Sequence, residues 1–298
     1  MATKNPSAAV RENKMPIGRW FLEVGWRHLV GIGALIFAAI PILYVISASI
    51  NPLGTVSSTN LIPRDFSLVH YQTLLSGARG DFVQWAINTI IVCGTVALVQ
   101  IFLSVLASYA FSRMRFKGRR IGLLALLLVM MFPAILAMIA IYTMIADLGQ
   151  AIPFLGLNSL PGYIIVLLGG SLGQVWLIKG FFDTVPKELD EAAIIDGATH
   201  WQVFSRVLLP TLTPILATTF LIALVGVMSD FLLGSIFLTS DDKKTLAVGL
   251  YGMLQGDRSN NLGIFAAGAV ITMIPVIILY QFLQKYIVGG STAGAVKG

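Results

Sequence analysis

The stretch KELDEAAIIDGATHWQVFSRVLLP, Lys187 to Pro210, is the longest polar, helix-signalled segment in a chain that is otherwise mostly lipid-compatible. Pro186 falls in the first turn of a predicted helix, where its missing N–H goes unused. Glu188, Asp190 and Glu191 follow near the positive end of the helix dipole. Leu189, Ala192, Ala193 and Asp196 recur at i, i+3, i+4, i+7 on one face, and its two alanines make that face low enough for another surface to come close. Gly197 reads as a left-handed stop. Thr199-His200-Trp201-Gln202 matches a capping box and starts a second short helix. A rigid helix–glycine–helix knob between apolar runs implies that something outside the membrane holds it.

The rest of the composition supports a membrane setting. The chain has 298 residues, 56% hydrophobic and 11% charged, with a mean hydropathy of +0.84. Soluble domains carry roughly 25% charged residues. A net charge of +6 suggests nucleic acid at first sight. The cations sit at the ends of apolar runs, however, where anionic lipid headgroups account for them, and nucleic-acid binding is not expected. Cys93 is the single cysteine, so no disulfide framework exists, and His28, His70 and His200 are too scattered for a metal-ligand cluster.

Six spans are expected: Leu29–Ile50 with Pro41 as a kink, Trp85–Phe111, Ile121–Ile145 broken at Phe132-Pro133, Leu160–Ile178 interrupted by glycines, Leu208–Leu238 and Leu262–Tyr286. This divides the chain into a disordered basic tail at 1–28, a six-helix transmembrane domain at 29–286 with the hairpin region at 183–210, and a flexible tail at 287–298. Asn51–Gln84, Asp147–Pro161 and Ser240–Asn261 read as loops on the opposite side from both tails. Of the 20 lysines and arginines, 15 lie in the tails, the 113–120 loop, the 179–209 region and, as Lys285, the end of the last span beside its tail. The positive-inside rule therefore puts both termini and the hairpin in the cytoplasm.

The order Glu191-Ala192-Ala193, Asp196-Gly197-Ala198, Leu209-Pro210 resembles the EAA loop of bacterial ABC importer permeases. The likeness is strongest to carbohydrate permeases of the maltose/maltodextrin G type. It extends to Tyr109–Gly118 (YAFSRMRFKG), Met131-Phe132-Pro133, Pro153–Asn158 (PFLGLN), Trp176–Gly180 (WLIKG), Thr245–Gly249 (TLAVG) and Gly294–Gly298 (GAVKG). The N-tail and the loops Thr55–Asp81 and Gly252–Asn261 match weakly or not at all.

The resemblance implies an all-α integral inner-membrane protein with six transmembrane helices and the type I ABC importer permease fold, paired with a second permease as a heterodimer. It implies that Glu188, Glu191, Ala192, Ala193, Asp196, Gly197 and Ala198 form a coupling helix in a cleft of a cytoplasmic ATPase, two copies of which serve the pair. No G-x-x-x-x-G-K-[ST] loop is present in this chain, so ATP and Mg belong to those partners; the chain is a transport subunit and not an enzyme, and no cofactor of its own is expected. It further implies an external sugar-binding protein, met by the 240–261 loop through Leu246, Gly249, Tyr251 and Met253. The C-tail, with Gly294, Val296 and Lys297, would reach between the ATPases. The implied cargo is maltose or maltodextrin, with trehalose or another α-glucoside as the alternative.

Two intramembrane features remain. Asp230 is the sole acid deep in an apolar run, and insertion of a carboxylate there costs at least about 2.5–3.5 kcal/mol. Counted along a helix from Leu208 it lies about 33 Å on, toward the far side. It reads as a pathway-lining group, or as a structural pair with a neighbouring helix. Gly169, Gly170 and Gly173 mark a broken span of the kind that lines transporter sites, or simply permit close helix packing. An ion-coupled secondary transporter normally needs several intramembrane ionisable groups, and a membrane enzyme needs a cluster of acids, bases or ligands; the sequence offers neither.

Overall fold

The computed structural model describes residues 16–55, 60–63, 65–255 and 258–293, and most of these are helical. The labelled helices are α1 Trp26–Ile50, α2 Val69–Leu75, α3 Phe82–Arg113, α4 Arg119–Met131, α5 Ala134–Ala151, α6 Leu160–Leu168, α7 Ser171–Phe182, α8 Glu188–Ile195, α9 Thr213–Met228, α10 Leu232–Phe237, α11 Leu246–Leu254 and α12 Arg258–Ala293. Three stretches are long and apolar enough to cross a bilayer unbroken: Gly18–Ile50, Phe82–Arg113 and Asn261–Ile287. Three bent helix pairs are apolar enough to cross as well, and counting each as one span gives up to six.

The bends have local causes. Phe132-Pro133 separates α4 from α5 at 100°, because the residue before a proline leaves the helical region. Gly169-Gly170 separates α6 from α7 at 42°. The third bend, 74° at Leu212 between Leu209–Thr211 and α9, lies between Pro210 and Pro214. The stretch Leu208–Leu238 is therefore not one helix. It turns at Leu212, ends at Met228 and resumes as α10.

Other expectations also change. Residues 17–28 are not a disordered tail: Ile17–Trp20 is helical, a π turn Phe21–Gly25 follows, and the helix runs on into α1 and through Pro41. The Arg19–Glu23 pair at 2.7 Å and the stacked Trp20 and His28 rings support this first turn. At the other end α12 extends to Ala293, so most of the expected C-terminal tail is helix. The 240–261 loop contains α11, and the Asn51–Gln84 loop contains α2.

Helix α3 is the central mast, packed by α6, α7, α9 and α11. Along one edge it carries Gln100, Ser104, Ser108 and Ser112, one residue per turn. Gln100 Nε2 donates to the Leu167 carbonyl at 2.6 Å, Ser104 Oγ to that of Ser171 at 2.8 Å, and Ser108 Oγ to that of Val175 at 2.9 Å. Such bonds across transmembrane helices average about 0.6 kcal/mol each. At its N-terminal end α3 is sewn to the 240–246 segment: Trp85 Nε1 donates to the Asp241 carbonyl at 2.8 Å, and Asn88 Nδ2 to those of Asp242 and Lys244, both at 2.9 Å.

Candidate functional site

The hairpin emerges where α3 and α7 end. α8 spans Glu188–Ile195 with all three acids in its first turn. Gly197 stops it at φ +85°, and the Gly197 and Ala198 amides donate back to the carbonyls of Ile194 and Ala193 at 3.0 and 2.9 Å. Thr199 and Gln202 then cap each other reciprocally, at 3.3 and 2.8 Å, as the spacing predicts. The second helix continues as a π segment, Val203–Leu208. The wider turn brings Val203, Phe204 and Leu208 together into a buried cluster with Ile178 and Phe182 of α7 and Val105 of α3.

The alanine face divides. Ala193 and Ala198 pack inward on that cluster, so their smallness lets α8 sit close against the chain itself. Glu188, Glu191, Ala192, Asp196 and Gly197 remain exposed. Beside them stand Ile195 at 85% exposure, Trp201 at 64% and Ile194 at 46%. A knob outside the spans that presents large apolar side chains among acids has the makings of a protein contact.

The knob is tied to the mast. Arg113, the last residue of α3, places its Nε 2.9 Å from an Asp190 carboxylate oxygen, and its Nη2 donates to the Val185 carbonyl at 2.7 Å. The ion pair lacks a well-aligned hydrogen bond, and the other Asp190 oxygen is buried without a partner. Burial pushes the Asp190 carboxyl above its ordinary range even though Arg113 pulls the other way. Next to it Ser112 Oγ donates to Asp183 at 2.6 Å and Lys179 contacts the same carboxylate at 2.5 Å. Burial alone would raise Asp183, but the hydrogen bonds from Lys179 and Ser112 and the charges of Lys179 and Arg119 bring it below the usual carboxylate value. The Arg113–Asp190 tie was missed from sequence, where Arg113 counted only as a topological cation. Its partner is 77 positions away, and no local pattern marks it.

The remaining candidates disperse. Asp230 does not sit within a helix: it lies in the break between α9 and α10, where Oδ1 accepts the Leu233 amide at 3.1 Å and the Tyr163 hydroxyl is a second partner. The 33 Å helical count fails because the path bends at Leu212 and ends at Met228. Gly169 and Gly170 do form the α6–α7 break, and a Cβ on Gly170 would come within 2.7 Å of Gln100 Nε2. Gly173 faces the Met130 side chain, 3.5 Å from where a Cβ would be. In α11, Leu246 and Gly249 turn inward onto the cluster around Trp85 and do not point out of the chain. Tyr251 and Met253 stay partly exposed, with Tyr251 against Phe231 at 4.1 Å between ring centroids. Gly294, Val296 and Lys297 lie outside the described residues. Among the described residues no group of three or more His, Cys, Asp or Glu side chains is placed to hold a metal.

Comparison with known proteins assigns this architecture. Residues 100–290 match the family described as the binding-protein-dependent transport system inner membrane component. The chain is 39% identical over 285 residues to the maltose/maltodextrin transport system permease protein MalG of Vibrio vulnificus (strain YJ016), covering 92% of this chain and 96% of that protein. It is 38% identical over 282 residues to the protein of the same name from Escherichia coli (strain K12), covering 91% and 93%. A chain of a bacterial ABC transporter involved in import of the acidic polysaccharide alginate superposes with a TM-score of 0.72 at 27% identity, over 91% of this chain and 98% of that one. A second alginate transporter chain, crystallised in complex with an alginate pentasaccharide-bound periplasmic protein, has the same fold at a TM-score of 0.64 and 18% identity. With the match spanning the mast, the hairpin and the last span, the chain belongs to the binding-protein-dependent transport system inner membrane components, the multi-pass permeases of ABC importers.

Proposed function

We propose that this chain forms half of the translocation pathway of an ATP-driven sugar importer, with maltose or maltodextrin as cargo. The reading pairs it with a second permease, two ATPase subunits that bind ATP and Mg, and an external binding protein. The observation that carries the reading is the exposed knob Glu188–Ala198, rich in acids and large apolar groups and anchored to α3 through Arg113 and Asp190. The charge bias of the loops supports a cytoplasmic hairpin and cytoplasmic termini.

On this reading the ATPases close on ATP and push α8. Because Ala193 and Ala198 are packed on the cluster shared by α3 and α7, and Arg113 grips Asp190, the push reaches both helices as one body. The bundle then rocks from inward-open to outward-open, with the breaks at Phe132-Pro133, Gly169-Gly170 and Leu212 as the pliable points. At the other end, of Leu246, Gly249, Tyr251 and Met253, the last two stay half-exposed and available to the binding protein.

The test is reconstitution of the chain with its partner permease, ATPases and binding protein in proteoliposomes. Uptake of labelled maltodextrin that requires internal ATP and the binding protein is the expected result. Uptake driven by an ion gradient without ATP overturns the reading. Preference of the binding protein for trehalose in a sugar panel replaces the cargo and leaves the mechanism.

A further inference from the structure

The turn between α3 and α4 carries a cluster of cations that the coupling mechanism does not use. Arg113 is engaged by Asp190, but Arg115, Lys117, Arg119 and Arg120 follow within seven residues, and none of these four is in an ion pair among the described residues. Gly118 turns the chain at φ +87°. Arg119 makes only long contacts, 3.4 Å to the Ser112 carbonyl and 3.5 Å to that of Met114, so most of its guanidinium donors are free. The Arg120 side chain makes no hydrogen bond among the described residues and is exposed.

Beside this turn lies an open cleft of about 510 Å³, lined by Phe116, Gly118, Arg119, Arg120, Ile121 and Leu123. Its chemistry is divided: two guanidinium groups together with an aromatic and two aliphatic walls. Below it α4 has no buried residue, and Ile121, Leu124 and Leu128 are 73%, 52% and 67% exposed. The cleft therefore continues directly into the apolar flank of a membrane span. Cationic groups at the end of a span, above a run of apolar side chains, match an ion whose charge and hydrocarbon belong to one molecule.

We propose that this cleft binds an anionic phospholipid, its phosphate between Arg119 and Arg120 and an acyl chain along Ile121, Leu124 and Leu128. The proposal depends on the six-span membrane reading and not on the identity of the sugar. Charge favours lipid over a partner protein here. The neighbouring knob exposes Glu188, Glu191 and Asp196, so a protein surface that receives them presents positive charge and is repelled by the 115–120 run.

The experiment is native mass spectrometry of the full-length chain in its transporter complex, delipidated and then titrated with phosphatidylglycerol or phosphatidylcholine. Phosphatidylglycerol is expected to bind more tightly. The Arg120→Gln variant should weaken it roughly five-fold, and Arg119→Gln with Arg120→Gln roughly thirty-fold, with phosphatidylcholine unchanged. Arg120→Lys should retain most of the affinity. The single Arg120→Gln variant guards against loss of folding, because that side chain holds no backbone group in the structure. Equal losses for both lipids, unchanged phosphatidylglycerol affinity in the double variant, or displacement of the lipid by inorganic phosphate alone overturns the proposal. So does loss of the ATPase subunits from the double variant at unchanged lipid affinity, which would make the run a protein contact.

Discussion

Arg113 and Asp190 meet at 2.9 Å with side chains only 7% and 16% exposed, and they join the last residue of a membrane span to the first turn of a helix 77 positions later. Removing one partner of a buried pair leaves the other desolvated and uncompensated. Because this pair is partly hydrated, Arg113→Met is expected to destabilise by about 1–3 kcal/mol, between the surface and fully buried limits. Asp190→Asn should cost less, since burial already favours the neutral carboxyl and Arg113 keeps the Val185 carbonyl. Both should lower transport per ATP hydrolysed. Thermal melts that rank Asp190→Asn below Arg113→Met, or unchanged coupling in both, would refute the tie.

Gly197 adopts φ +85°, a conformation that costs an L residue roughly 1–2 kcal/mol. Gly197→Val is expected to distort the elbow and abolish substrate-stimulated ATPase activity in the reconstituted complex, while Gly197→Asn retains part of it. Glu191→Lys reverses an exposed charge on the knob and should give the same loss with normal membrane insertion. Full stimulation in both Gly197→Val and Glu191→Lys contradicts the docking role.

A Cβ on Gly249 would lie 2.1 Å from the Trp85 ring, whose indole is pinned to the Asp241 carbonyl. Gly249→Ala should therefore destabilise by about 1–3 kcal/mol through overpacking. Adding Trp85→Leu should recover part of that loss relative to Trp85→Leu alone. A double-mutant cycle on melting temperatures measures the interaction, and strict additivity would show that the two do not meet.

Asp183 and Asp190 predict opposite acid responses. The folded carboxyl of Asp183 is held low, so its stabilisation is present above the ordinary carboxylate value and fades as pH falls through the lowered one, below about pH 4. Asp190 is raised, so its contribution is present below the ordinary value and fades as pH climbs through the raised one, above about pH 4. Asp183→Asn should flatten the acid limb of a melting-temperature profile, and Asp190→Asn the limb above it. Profiles that shift uniformly would count against both assignments.

The sequence carries the skeleton well where one residue type has one strong local effect. Pro133 and the Gly169-Gly170 pair break their spans where they stand, and Thr199 with Gln202 caps as its spacing requires. Pro210 and Pro214 carried the same kind of signal for the bend at Leu212, but it was overshadowed by a long apolar run. Asp230 is a residue type suited to helix starts, and the break that lets it accept the Leu233 amide was hidden inside a long apolar run. Leu246–Leu254 is helical because Trp85, Asn88 and Thr89 receive it, which are contacts across more than 150 positions. The knob at Glu188–Ala198 was legible as a shape, but which alanine faced in and which faced out depended on the π segment beneath it.

The polar edge of α3 has a mechanical property of its own. Its donors at positions 100, 104 and 108 engage acceptors at 167, 171 and 175, so both sides repeat every four residues, and every acceptor is a main-chain carbonyl. Such a joint works as a rack and pinion with identical teeth. If the Leu167–Val175 segment slid along α3 by four residues, about 6 Å, the interior teeth would re-engage and only the end ones would lose their partners. Intermediate positions would leave hydroxyls facing hydrocarbon, so any such slide would go in discrete steps. Paired cysteines set for each register would report, by crosslinking in the two nucleotide states, whether the transporter uses more than one.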